Sequence, residues 1–282
     1  MVAISYELSI MGREMQNNAA TATRYKSQNC EDRTNKSICL PNSSYEPLAH
    51  EYYDLTHKTS RNFDESTRIF FKKHRSEIDI PPIGLVLDLG AGKGHVIEYC
   101  GVDKSRVIQV DISRTILSIF DREPCLQRIA GDALRLPFSS SSFSVVSAFL
   151  FDPFNIQDEY GDLHLFKQIF DVLDVGGLFI GTLPHIIWGK VLRHLRSHDE
   201  QEAVFSLSSG EFLSRTSILM DDIDIIEAID CAGFSHIGLY DITIPNGIPL
   251  RGISPDIIDP ACRMGLDPYC LPIIKVILAK KL

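Results

Sequence analysis

Apolar residues in this chain fall into short unbroken runs, and the runs are separated by stretches with helical spacing. Residues 85–89 (LVLDL) form one such run, Gly90-Ala91-Gly92-Lys93-Gly94 follows, and a helical pattern begins at His95 and continues to Cys100. A run of strand length bounded by turn residues reads as a buried strand. Runs at 107–110, 126–130, 144–150 with Phe143 before it, and 178–183 closed by Pro184 predict four more strands. Between them, 114–120 and 166–173 have helical spacing, the second stopped by Val175-Gly176-Gly177. Strands alternating with helices at this spacing predict an α/β fold with a doubly wound, parallel sheet.

The flanking segments are less regular. Phe63, Ile69, Phe70 and Phe71 lie near helical spacing with charges between them, so a helix packs ahead of the first strand, with Asn62 as its candidate N-cap. Residues 188–198 are basic and amphipathic and read as a solvated helix. Residues 222–232 predict a helix stopped by Gly233, and 237–244 and 271–279 predict strands. The proline-bearing loop expected at 245–270 is long enough to be a functional insertion on the substrate side. Residues 1–43 show no sustained period and bury too little apolar surface to offset their ordering entropy, so a flexible tail is expected there. The remainder, 44–282, reads as one domain: a helical cap at 44–80, a cofactor-binding half at 81–184 and a substrate-side half at 185–282.

Composition narrows the function. Of 282 residues 44% are apolar, enough for a full core, and the net charge of −9 disfavours a broad nucleic-acid footprint. A small-molecule substrate is therefore favoured over protein, and protein over RNA. Seven scattered cysteines without a C-x-x-C pair read as reduced thiols in a cytoplasmic protein. No run is long and apolar enough to span a membrane. There is no H-E-x-x-H helix, no clustered Cys/His spacing and no G-x-S-x-G elbow, so no metal site is expected.

The strand-glycine-helix unit is the design of a nucleotide-type pocket. Asp111 follows at the end of the second run, where a ribose-binding carboxylate belongs. A dinucleotide fingerprint G-x-G-x-x-G requires glycine where His95 stands, and a P-loop requires a different lysine spacing. What remains is D-x-G-x-G-x-G at Asp88, Gly90, Gly92 and Gly94, which resembles the first motif of the class I S-adenosylmethionine-dependent methyltransferases.

The resemblance covers roughly residues 85–184 and, more loosely, the last part of the chain. It implies a Rossmann-like, mostly parallel seven-stranded sheet with helices on both faces and an antiparallel C-terminal strand. It also implies S-adenosylmethionine as cofactor, with the turn from Asp88 through Gly90, Ala91, Gly92 and Gly94 beside it. Asp111 would hold the ribose hydroxyls and Ile112 would lie beside the adenine. Asp132 and Ala133, in the segment GDALRLPF, would meet the adenine amino group and ring. Taken singly, these motifs are also structural punctuation: a tight turn, a helix N-cap at Asp111 and a turn former at Asp132. The aromatic and polar segment 51–61 resembles caps that fold over the cofactor, with Tyr53 and Arg61 as candidates.

Methyl transfer asks little of side chains, since alignment and desolvation of a nucleophile supply much of the acceleration. The ends of the fourth and fifth strands nominate two catalytic candidates. His185 is a possible base, and Asp152, in D-P-F, resembles the first residue of an amine-positioning motif. The alternatives are a non-catalytic S-adenosylmethionine-binding or regulatory protein, a protein or RNA methyltransferase and, third, a dehydrogenase.

Overall fold

Strands with unbroken apolar runs need cover on both faces, and the architecture provides it. The structure is a computed structural model that describes residues 57–119, 127–151, 161–199, 202–206, 212–217 and 219–282, together with Ala49. Seven strands form one sheet: β1 (Val86–Leu89), β2 (Val107–Asp111), β3 (Gln127–Ala130), β4 (Phe143–Phe149), β5 (Leu173–Pro184), β8 (Ser235–Ile242) and β9 (Ile274–Lys280). Their order is β3-β2-β1-β4-β5-β9-β8. The pairs from β3 to β5 are parallel, while β9 runs antiparallel to both β5 and β8. This is the doubly wound, mostly parallel sheet with an antiparallel C-terminal strand that the sequence implies. Every residue of β1, β2 and β4 is buried, as expected of central strands covered on both sides.

Helices supply that cover in two layers. On one face Phe63 and Phe71 of α1 (Lys58–Lys73), Val96 and Tyr99 of α2 (His95–Cys100), Trp188 of α5 (Ile186–Leu195) and Ile257 of α7 (Pro255–Arg263) join a single core. On the other, Leu165, Phe166 and Ile169 of α4 (Gly161–Val172) and Ile225 and Ile229 of α6 (Asp222–Ala232) pack on Leu87, Val146 and Phe179. The short α3 (Arg114–Ile119) follows β2, and β6 (Glu202–Ser206) pairs with β7 (Phe212–Thr216) as a separate two-stranded sheet. Among the described residues no helix is long and apolar enough to cross a membrane.

Four local expectations are corrected. Helix α1 begins at Lys58 with His57 as N-cap, and Asn62 lies inside it, buried. The Asn62 side chain leaves the helix to donate to Gly252 O (3.1 Å) and accept from the Ser254 N–H (2.8 Å). The basic stretch at 188–198 is not a fully solvated helix. It buries Trp188 and Arg193, and the Arg193 guanidinium donates to Ser217 O (2.7 Å) and Ser217 Oγ (3.0 Å). The glycines at 176 and 177 do not end a helix. Helix α4 stops at Val172 and runs straight into β5, whose bent start pairs with Lys281 through Gly176 N–H to Lys281 O and Lys281 N–H to Gly177 O. Finally, the long insertion at 245–270 contains α7, capped by Ser254 Oγ accepting from the Asp256 N–H.

Candidate functional site

The carboxyl ends of β1 and β2 meet at the glycine turn. Gly90, Gly92 and Gly94 all have positive φ (58°, 50° and 84°). At two of them the protein itself excludes a side chain. A Cβ on Gly90 would lie 2.2 Å from the Phe151 ring, and one on Gly94 would lie 2.4 Å from Gln109 Nε2. The turn is pinned to β2 by the Ala91 N–H donating to Val110 O (3.1 Å) and by the Gly92 N–H donating to Asp111 Oδ2 (3.1 Å).

Below the turn runs a buried polar row that strand register creates. Asp88 lies opposite Gln109 on one side and Ser147 on the other, and Gln109 lies opposite Arg128. Ser147 Oγ donates to Asp88 Oδ1 (2.7 Å), and Arg128 Nε donates to Gln109 Oε1 (3.1 Å). Among the described residues, Asp88 Oδ2 is buried with no hydrogen-bond partner. Burial pushes the Asp88 carboxyl up to about 7, against the opposing pull of hydrogen bonds from Ser147 and Gln109, and the nearby Asp111 charge adds to the rise.

Asp111 and Asp132 each do local structural work. Asp111 Oδ1 accepts from the Ser113 N–H (2.9 Å), so this carboxylate bridges the glycine turn and the turn into α3. Asp132 Oδ1 accepts from the Leu134 N–H (2.9 Å), and Ala133 beside it is buried. The Gly131 N–H donates to Asp111 O (3.0 Å), which brings the two segments together at one edge. Ile112, next to Asp111, is 38% exposed, an apolar side chain presented where the strands end.

Of the cap candidates, Arg61 is exposed on α1 and Tyr53 lies outside the described residues, as does Asp152. Sequence reasoning passed over Asp64, one turn further along α1. Its Oδ1 accepts from the Tyr99 hydroxyl (2.6 Å) and lies 3.4 Å from Lys93 Nζ and 3.5 Å from His95 Nδ1. Burial opposes ionisation of Asp64, but the Tyr99 hydrogen bond and the Lys93 charge outweigh it and hold its carboxyl below the usual range. His95, stacked on Tyr99 at 4.7 Å, is driven down to about 3 by burial and by Lys93, so it is neutral. No local sequence signal marks Asp64, because its partners Lys93 and Tyr99 lie on other elements.

His185 is the N-cap of α5 and is buried. Its Nδ1 accepts from the Ile187 N–H (3.2 Å), which places the proton on Nε2, 3.3 Å from Asp241 Oδ1. Lys275 Nζ contacts the same Asp241 oxygen (2.5 Å) and Asp222 (2.8 Å). Burial lowers the His185 pKa, and Lys275 lowers it further, against the raising effect of Asp241.

The residues at the glycine turn suit a cofactor with a cationic, hydrogen-bonding end and an apolar nucleoside face. Asp88 Oδ2 is an orphaned acceptor beneath the turn, and Ile112 offers the apolar contact. Among the described residues no group of His, Cys, Asp and Glu could hold a metal ion.

Comparison with known proteins places this geometry. Residues 86–177 match the sequence model of a methyltransferase domain. No curated protein matches the chain in sequence. Among solved structures, a SAM-dependent methyltransferase from Thermotoga maritima is 16% identical, with a TM-score of 0.56, over 85% of this chain and 98% of its own. The Haloferax volcanii protein solved with the Trm112 methyltransferase activator is 16% identical with a TM-score of 0.59, over 86% and 99%. Geranyl diphosphate C-methyltransferase from Streptomyces coelicolor, solved with S-adenosyl-L-homocysteine, is 17% identical with a TM-score of 0.52, over 77% of each chain. At these identities the likeness is one of fold.

Proposed function

We propose that the chain, whose residues 86–177 match the sequence model of a methyltransferase domain, transfers a methyl group from S-adenosylmethionine to a small-molecule nucleophile and that the glycine turn, Asp88, Asp111, Ile112, Asp132 and Ala133 hold the cofactor. The observation that carries the small-molecule reading is the cross-tied cap. Helix α1 is bonded to the 245–270 insertion through Asn62 and through Thr59 Oγ1 donating to Asp256 Oδ2 (2.9 Å). Helix α5 is bonded to it through the Trp188 indole N–H donating to Asp256 O (2.8 Å). Three helices tied to one another through the distal insertion form a fastened cap, and the net charge of −9 disfavours a broad polymer footprint. Free cysteines, three of them exposed, suit a reducing, cytoplasmic setting.

The bound cofactor supplies a methyl group already made electrophilic by its sulfonium. The chain's own task is to bind, orient and keep water out. Asp111 fixes the turn through Gly92, and in this reading its carboxylate also meets the nucleoside hydroxyls. Asp88 Oδ2 offers an acceptor to the cofactor's cationic end. For His185 to take a proton, its Nδ1 must first release the Ile187 N–H, so in this reading catalysis rests on alignment and His185 serves to fix the edge where α5 begins.

Titration calorimetry with S-adenosylhomocysteine and a screen of label transfer from methyl-labelled cofactor into size-fractionated cell extract test both halves. Label in the small-molecule fraction is expected, and label confined to protein or RNA overturns the acceptor assignment. Asp111→Ala removes a charged acceptor worth about 1.5 to 3 kcal/mol, so affinity should fall roughly 10- to 150-fold. Parent-like affinity in a folded Asp111→Ala protein refutes its place in the site.

A further inference from the structure

A run of left-handed glycines is the most entropically costly kind of backbone to hold in one shape. From the sheet side, Asp111 holds this turn through the Gly92 N–H. From the other side, another carboxylate reaches it. Lys93 sits between Gly92 and Gly94, and its ammonium lies 3.4 Å from Asp64 of the cap helix. From α2, the Tyr99 hydroxyl donates to that same Asp64 oxygen, and the neutral His95 ring lies beside it, with Nδ1 at 3.5 Å.

We propose that Asp64 is a positioning residue for the cofactor turn: by gathering the Lys93 ammonium and the Tyr99 hydroxyl onto one carboxylate oxygen, it holds the segment from Gly92 to Gly94 in its binding shape and ties it to the cap helix. This rests on the assignment of the glycine turn to S-adenosylmethionine.

Three observations separate this from an ordinary surface ion pair. The carboxylate oxygen is shared by two groups, one of them on a rigid support. Tyr99 is 5% exposed, parallel to Phe71 and edge-on to Phe149, so its hydroxyl has a fixed position and Asp64 is the acceptor it meets. Asp64 is itself fixed, because α1 is anchored two residues earlier by Asn62 to Gly252 and Ser254 and packs through Phe63 against Trp188. A carboxylate on a fixed helix that meets a fixed hydroxyl pulls only on the remaining mobile partner, which is Lys93 in the turn. Apparent cofactor affinity is divided by the fraction of molecules whose turn is already in the binding shape, so loosening the turn weakens binding without changing any contact to the cofactor. The low pKa of Asp64 agrees with a carboxylate that stays charged throughout the neutral range.

The test uses the full chain and four proteins: parent, Asp64→Asn, Lys93→Met and the double variant. Asp64→Asn keeps an oxygen for the Tyr99 hydroxyl and removes only the charge. S-adenosylhomocysteine affinity is read by calorimetry, and amide hydrogen exchange at residues 91–95 is read in the ligand-free protein. Each single variant should bind about 3- to 10-fold more weakly, and the double variant no more weakly than either single one, since both remove one interaction. Exchange should quicken at 91–95 while the strands exchange as in the parent. Parent-like exchange and affinity in Asp64→Asn, or fully additive losses in the double variant, overturn the proposal. If the parent itself fails to bind, the cofactor assignment falls, and the exchange comparison in ligand-free protein still decides whether Asp64 holds the turn.

Discussion

Asp88 provides the sharpest quantitative test. Its carboxyl is fully buried, Oδ1 accepts from Ser147, Oδ2 has no hydrogen-bond partner among the described residues, and its pKa is raised from the ordinary 3.8 to about 7. A group whose folded pKa exceeds its unfolded value binds more protons when folded, so stability falls as pH rises through the window between the two values. With 3.8 unfolded and about 7 folded, the loss between pH 5 and pH 7.5 is about 2.5 kcal/mol, out of about 4 kcal/mol in all. Asn in place of Asp88 is isosteric, keeps an acceptor for Ser147 and does not titrate. Histidines move in the same window with the opposite sign: His95 and His185 both have lowered pKa values, so the unfolded chain takes up their protons first and stability rises with pH. They are common to both proteins and cancel in the difference. Urea denaturation of ligand-free parent and Asp88→Asn at pH 5 and 7.5 should therefore show the variant gaining about 2 to 3 kcal/mol relative to the parent over that interval. Parallel pH profiles would refute the buried, orphaned carboxylate. The same variant should lose affinity for S-adenosylhomocysteine, because an NH2 donor replaces the free acceptor.

Two more substitutions probe the frame around the site. Asn62→Ala removes a donor to Gly252 O and an acceptor for the Ser254 N–H, leaving groups of the insertion unpaired; a loss of about 2 to 4 kcal/mol by chemical denaturation is expected, and a loss below about 0.5 kcal/mol would show that the cross-tie carries nothing. Gly90→Ala places a Cβ 2.2 Å from the Phe151 ring at φ 58°, so the ring must move; calorimetry should show weakened cofactor binding along with a loss of about 1 to 3 kcal/mol in stability, and unchanged values for both would mean that Phe151 yields freely.

The parallel half of the sheet was legible because its strands are continuous apolar runs separated by glycine and helical spacing, signals that depend only on neighbours in sequence. Helix α6 was legible at both ends for the same reason, with Asp221 capping two N–H groups ahead of it and Gly233 ending it at φ 104°. Asn62 was misread because a polar residue before an apolar stretch looks like a cap, and nothing local says that its partners lie in the distal insertion. The basic stretch of α5 misled similarly: Arg193 looks solvated until the return of the chain brings Ser217 to it. At the site, the glycines, Asp88 and Asp111 were visible as a motif, but the motif conceals two causes. Gly90 and Gly94 are required by Phe151 and Gln109, contacts made only by the assembled sheet. Asp64 was invisible because its meaning comes from Lys93 and Tyr99 on another element.

The bond between Asn62 and the Gly252–Ser254 segment also constrains the order in which the molecule can be made. Its partners are 190 and 192 residues apart, so when synthesis has finished the whole parallel half of the sheet, α1 still waits for its distal anchor. During that interval Phe63 and Phe71 lack the α7 side of their core, and α1 can cover the sheet only provisionally. Long-range closure of this kind comes late because the loop entropy must be met before the contact returns anything. The cap is thus a late assembly step, and a chain truncated before residue 252 would lack both this fastening and β9, the strand that joins β8 to the sheet.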